Sequence, residues 1–185
     1  MNLSQLIKER RSIQLYEDRP VSVDLMKELL ETAIWVPNHK MTEPWRFVFV
    51  SGETKKQIAE INRIVGAKGN TIEEKQRSGE IAFNKINNPP LLLMVLMEEN
   101  PDQKLREEDY AATSCVIQNL SLLAWEKEIG MIWKTGAITF HPEFRKIIGA
   151  KPGEKVVGML QMGYPAKVPK ERPRVDAHER ITELN

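Results

Sequence analysis

Apolar residues along this chain switch between helical and extended spacing, and the switches mark out most of its elements. Leu25, Met26, Leu29, Leu30, Ala33 and Ile34 recur at i, i+1, i+4 and i+5, the stripe of an amphipathic helix. Ser22 stands where an N-cap belongs, and Asp24 lies in the first turn, where a carboxylate meets the positive end of the helix dipole. Pro37 closes that helix. Ahead of it, Leu3, Leu6 and Ile7 predict a short opening helix that ends near Arg10. Beyond it, Phe47–Val50, with Trp45 in front, reads as a buried strand stopped by Ser51 and Gly52.

Ile58, Ile61, Ile64 and Val65 predict a helix over Lys55–Val65. The polar stretch Gly66–Gly79 interrupts the periodicity with glycines, and it reads as a mobile loop or lid with partial helix. Leu91–Met97 is the longest purely apolar run and has the length of a strand, so it is the expected centre of a sheet. Glu107–Lys127 is a helix with small and apolar residues nearly all round, which must be buried in a core or against a partner. Cys115 within it reads as an inert buried thiol, and Gly130 as the residue that ends it. Met131–Trp133 is a short strand, Lys134-Thr135-Gly136 a loop, His141–Ile148 a short helix and Lys155–Gly163 a last strand. Helices and strands mix without regular alternation, which makes the fold class α+β with three layers.

Length and charge narrow the picture. The 185 residues suit a single domain over 1–185, with a charged, proline-rich extension at 165–185 that has little to form its own core. A net charge of +1 offers no general field for nucleic acid or an anionic membrane, and no apolar run is long enough to span a bilayer. Cys115 is the one cysteine, so an intramolecular disulfide or cysteine metal site is excluded, and a reducing cytoplasm is the expected compartment. His39, His141 and His178 lie far apart, without the spacing of a helical metal site, so no metal is expected.

Two clusters carry candidate chemistry. Arg10-Arg11-Ser12 follows the opening helix; two guanidiniums offer paired planar donors to a phosphate, and the hydroxyl adds another bond. Pro37-Asn38-His39-Lys40-Met41-Thr42-Glu43-Pro44-Trp45-Arg46-Phe47 gathers polar, aromatic and cationic groups just before a strand. Together they point to a phosphorylated cofactor with a flat ring, flavin mononucleotide (FMN). Each also has a plainer reading: a basic pair ending a helix, a loop histidine bonded to main chain, and Trp35 and Trp133 as packing residues.

Arg10-Arg11-Ser12, then His39-Lys40 leading to Pro44-Trp45-Arg46-Phe47, then Ile132-Trp133-Lys134-Thr135-Gly136-Ala137, occur in an order that resembles the flavin-dependent nitroreductase family. The likeness is greatest to its small bacterial members and runs on through Val156–Pro165. It implies a three-layer α-β-α fold around a mainly antiparallel sheet, in an intertwined homodimer with two FMN molecules at the interface. Arg10, Arg11 and Ser12 would then hold FMN from one subunit, Trp35 and His39 would approach it from the other, and Trp133, Lys134, Thr135 and Gly136 would complete the pocket. Arg174 is the matching C-terminal arginine for the phosphate, with Arg172 in competition, and the tail would wrap the partner. Lys134 or Lys40 would stand near N1 and O2 of the ring.

The implied activity is hydride transfer from NADH or NADPH through FMN to nitroaromatics, quinones or related electrophiles, in ping-pong order and with no catalytic side chain. A flavin-holding or sensing protein with little turnover is the alternative, or a reductase of free flavin, an enone or a halogenated aromatic. One departure stands out. Larger relatives carry Asn-x-Gln-Pro-Trp where this chain has Thr42-Glu43-Pro44-Trp45 behind His39.

Overall fold

A strand with no polar side chain before its last residue has to be covered on both faces, and β2 (Leu91–Glu98) is. The computed structural model describes residues 2–184. In it, β2 lies between β1 (Trp45–Val50) and β4 (Glu154–Gly163), and β3 (Gly130–Lys134) takes the far side of β4, all antiparallel. Leu91, Leu93, Val95 and Met97 face one core, formed with α2 (Val23–Ala33) and α5 (Gln103–Glu126). Leu92, Met94 and Leu96 face the other, formed with α3 (Gly52–Gly66), α6 (Pro142–Ile147) and Ile86 of α4 (Ile72–Asn87). Each such buried side chain contributes about 1.5–3 kcal/mol. The result is the expected α+β arrangement of helix, sheet and helix.

Four local expectations need correction. The segment 66–79 is more helical than loop-like: Gly66 ends α3, residues 67–71 connect, and 72–79 form the first half of α4. Thr71 caps α4 reciprocally with Glu74, a Thr-x-x-Glu box that was readable in the chain. Gly69 (φ 143°) lies in the connecting turn, but Gly66 and Gly79 are spacers. A Cβ on Gly66 would sit 2.2 Å from the Ala82 Cβ, and one on Gly79 3.1 Å from the Arg63 carbonyl, so both let α3 and α4 pack tightly.

Gly130 does not end α5 either. That turn is made by Glu128 at φ 61°, and Gly130 opens β3, where a Cβ would lie 2.3 Å from Ile13. α2 stops at Ala33, four residues ahead of Pro37. Cys115 is exposed, because α5 buries only the stripe Asp109, Ala112, Thr113, Val116, Ile117, Leu120 and Ala124. Its opposite face, with Ala111, Cys115 and Gln118, is small and open.

The N-terminal segment covers the outer edge of β3. After α1 (Leu3–Glu9), Ser12 bridges to Met131 in parallel, and Tyr16 bridges to Pro165. Glu17 N–H donates to the Tyr164 carbonyl (2.9 Å) and Ala166 N–H to that of Leu15 (3.0 Å). The root of the tail is thereby fixed beside residues 10–17, and from Ala166 onward the described tail is exposed.

Candidate functional site

α1 ends where Arg10 N–H donates to the Leu6 carbonyl, and Ile13, fully buried, donates to the Met131 carbonyl three residues later. Arg10, Arg11 and Ser12 are therefore stretched along the rim of the sheet. The returning tail forms the opposite wall of an open cavity of about 710 Å³, lined by Arg10, Arg11, Ser12, Gln14, Arg172 and Arg174 among others. The structure thus brings Arg174 to the basic pair, with Arg172 in the same wall.

Positive charge is crowded here. Burial, then Arg11, then Arg174 pull the Arg10 guanidinium below its ordinary pKa. Its buried Nε has no hydrogen-bond partner. Arg11 spends one nitrogen on the carbonyls of Lys8 and Arg10, and donates another to Glu171 at 3.2 Å. Glu171 is the one acid in a wall that also carries Lys8 and Lys170. Converging cations, one of them with an orphaned buried donor, fit a multiply charged anion such as a phosphate group.

β3 leads from this seat to the second group. Ser12 stands opposite Met131, and Gly136 is five residues further, about 16 Å along an extended chain. Trp133 Nε1 donates to the Val157 carbonyl at 3.0 Å, and its ring lies over Gly158, where a Cβ would come within 2.0 Å of the indole nitrogen. Lys134 pairs with Met159 and so faces the α3/α4 side. Burial, followed by the charge of Lys85, holds its ammonium below the usual lysine pKa. Thr135 and Gly136 are exposed, and the Gly136 carbonyl is held by the N–H and hydroxyl of Thr139.

Trp35 and His39 lie elsewhere. Asn119 of α5 donates to the Ala33 carbonyl at the end of α2, and Trp35 just beyond is 84% exposed. His39 begins a 3-10 turn, His39–Met41, in which Lys40 (φ 58°) and Met41 (φ 49°) adopt the left-handed region, as does Glu43 (φ 43°). This loop leads into Trp45, which pairs with Met97, whereas Ser12 is on the rung of Met131, Met162 and Leu91. Six residues of β2 separate the rungs, about 20 Å. One protomer does not bring the two clusters together. Trp45 packs on the α2/α5 core, and Glu43 is exposed.

Two residues that no local motif singles out hold this loop. His39 Nδ1 lies 2.5 Å from a Glu108 carboxylate oxygen, and Asp109 accepts from the Thr42 hydroxyl at 2.5 Å. The available signal was an aspartate inside the apolar stripe of α5, one turn before Ala112 and Thr113. Among the described residues, no group of three His, Cys, Asp or Glu side chains is placed to hold a metal ion, and no helix is long and apolar enough to cross a membrane.

Comparison with known proteins draws these features together. The family model described as "Nitroreductase family" matches residues 7–164. "Putative NAD(P)H nitroreductase YfhC" of Bacillus subtilis (strain 168) is 39% identical over 186 residues, covering 98% of this chain and 94% of that protein. The crystal structure of a nitroreductase-like family protein from Bacillus cereus is 38% identical, with a TM-score of 0.86 over 100% of this chain and 96% of the other. A Bacteroides fragilis nitroreductase solved with bound FMN, 23% identical, shares the fold at a TM-score of 0.77 over all of both chains. By its match over most of its length, the chain belongs to the nitroreductase family.

Proposed function

We propose that the protein is an FMN-dependent oxidoreductase that takes hydride from NADH or NADPH and reduces nitroaromatics, quinones or related electrophiles in ping-pong order. FMN, when bound, accepts hydride from the nicotinamide and passes it to the acceptor. The observation that carries this reading is the convergence of Arg10, Arg11 and Arg174 on one cavity with the buried Arg10 Nε unpartnered. These side chains and the Ser12 hydroxyl hold the phosphate. The relatives' names supply the donor: the Bacillus subtilis protein is called an NAD(P)H nitroreductase.

The remaining residues orient and tune. Trp133, fixed by Val157 and Gly158, gives the pocket a rigid aromatic wall. Lys134 keeps its positive charge only against burial and Lys85, so a neighbouring anion stabilises it. It is therefore the better placed of the two lysines to meet negative charge that develops at the ring edge on reduction. Thr135 and Gly136, both exposed, would bring main-chain N–H groups alongside.

Trp35 and His39 come from a second subunit. The separation of about 20 Å within one protomer supports this sharing, as do the open face of α5 and the exposure of Trp35, surfaces that a second copy would cover. The exposed tail would extend over the same partner, and the lone Cys115 suits a reducing cytoplasm.

A visible absorption spectrum of the purified protein, followed by anaerobic titration with NADH and then NADPH, tests the proposal. A yellow protein bleached by at least one nicotinamide within the time of turnover is the expected result. Bound flavin that neither donor reduces would leave a flavin-holding protein instead. A protein still colourless after incubation with excess FMN would overturn the cofactor assignment itself. Arg10→Ala with Arg11→Ala should release FMN from an otherwise folded dimer.

A further inference from the structure

We propose that Glu108 and Asp109, adjacent carboxylates on α5, are positioning residues that fix the loop and the tautomer of His39, so that its Nε2 edge is what the flavin meets. The inference rests on the reading that His39 faces FMN across a dimer interface.

The loop does not hold its shape by local preference. Lys40, Met41 and Glu43 all adopt positive φ, and none is a glycine. Such a cluster persists only where the surroundings over-determine the backbone. Here they do. Asn38 donates its Nδ2 to the Thr42 hydroxyl (3.0 Å) and accepts from the Glu43 N–H (2.7 Å), while Met41 N–H donates to the Asn38 carbonyl (3.2 Å). The Thr42 hydroxyl in turn donates to Asp109.

Asp109 is 2% exposed, in a stripe otherwise made of Ala112, Thr113, Val116 and Ile117. A buried carboxylate is expensive wherever an apolar side chain would pack as well. Its place in this stripe is accounted for by the bond to Thr42, which ties the loop to α5.

Glu108 acts on the side chain instead. Consecutive residues leave a helix about 100° apart, so Asp109 turns inward while Glu108 reaches His39 at the rim. Lys104, one turn earlier, lies 4.0 Å from the other Glu108 oxygen. An ionised carboxylate only accepts hydrogen bonds, so Nδ1 carries the proton, and whenever the ring is neutral its Nε2 is left as an acceptor. The oxidised isoalloxazine has a single ring N–H, at N3, flanked by two carbonyls. An acceptor at Nε2 suits that N–H, whereas the opposite tautomer would offer it a second donor.

The test uses the full-length protein labelled with 15N-histidine. NMR distinguishes the two tautomers, and the His39 signal is assigned by its loss in His39→Asn. The cofactor-free wild type should show His39 with the proton on Nδ1, and Glu108→Ala should shift it toward the Nε2–H form usual for free imidazole. Asp109→Ala should weaken FMN and riboflavin to the same degree, about tenfold or more, because the ring side is affected and the phosphate side is not. Asp109→Asn, which still accepts from Thr42, should restore most of that loss. Should Asp109→Ala not fold, Thr42→Val removes the same bond and should give the same equal loss.

The proposal is overturned if His39 keeps its tautomer in Glu108→Ala, or if a folded Asp109→Ala or Thr42→Val binds both flavins as the wild type does. Failure of the wild type to bind FMN would defeat the cofactor reading alone, since the tautomer is measured without FMN.

Discussion

The two ends of the sheet treat polar groups in opposite ways. At the tail end, Arg10 keeps a buried Nε without a partner while Arg11 and Arg174 press like charge upon it. At the other end, Asn38, His39 and Thr42 are each already bonded, and the cost there is a backbone bent into the left-handed region at three non-glycine residues. The first region holds an unpartnered donor and crowded positive charge that an anion would relieve. The second has its loop bonds already made, with the far edge of His39 left open. On the proposed function, the site that would capture a charged group from water keeps unsatisfied donors for it, whereas the site that would present one edge of a ring spends its bonds in advance.

The strongest way to break that contrast is Arg10→Met combined with Arg174→Met. Two charge-assisted hydrogen bonds at about 1.5–3 kcal/mol each predict a rise in the FMN dissociation constant of about a hundred- to ten-thousand-fold. Quenching of flavin fluorescence measures it. The same variant, free of cofactor, should be no less stable than wild type, because crowded and partly desolvated charge has been removed and solvent screens what remains. Thermal melting of the two apo-proteins checks the sign. A drop in stability would mean that the arginines support the fold rather than wait for a ligand.

Gly158→Ala asks to which kind of region the pocket wall belongs. The new methyl would lie 2.0 Å from Trp133 Nε1 and 2.3 Å from its Cδ1, so the indole has to swing off the Val157 carbonyl. Overpacking of this sort costs about 1–3 kcal/mol. Loss of stability together with a changed near-ultraviolet circular dichroism of Trp133 would mark the wall as prebuilt, like the His39 loop. By contrast, Gly66→Ala strikes Ala82 in the α3–α4 packing and should cost a similar amount without altering flavin affinity.

The incomplete end was the more legible in the sequence, for a physical reason. Guanidiniums that wait for a ligand need no partner in the chain, so Arg10-Arg11-Ser12 announces itself locally after a short apolar run. Arg174 came only through family likeness, since nothing near it in sequence shows that the tail returns to the pair. The prebuilt end was half hidden: His39 was visible, but Glu108 and Asp109 lie 69 and 67 positions from the residues they hold. No local pattern encodes such a pairing. The layers followed from periodicity, and the uninterrupted apolar run of β2 placed the centre of the sheet correctly. The segment 66–79 was misread because glycine has two uses, to break a helix and to let two helices touch; the Thr71–Glu74 box was the better guide.

The smallest effect is expected where the prebuilt loop enters the sheet, at Arg46. Its Nε and Nη2 donate to the two oxygens of Glu154 at 2.7 and 2.6 Å, and Nη2 also reaches the Gly149 carbonyl. Glu154 accepts as well from Lys151 N–H at 2.6 Å. The Arg46 hydrogen bond, above all, holds the Glu154 carboxyl below the usual carboxylate range. A carboxyl whose pKa is depressed by folding adds stability that is complete above its unfolded value, about 4.3, and that drains away as pH falls through the folded one. Because the Arg46 side chain is about one-third exposed, the pair is worth only about 1 kcal/mol. Arg46→Met should therefore lower stability by about 1 kcal/mol at pH 7, and the gap to wild type should narrow as the pH is taken below about 4. Urea denaturation at pH 7 and at pH 3.5 reads both, with FMN affinity at pH 7 unchanged. A gap that stays constant down to pH 3 would assign the effect to lost packing of the arginine stem and not to the ionised pair.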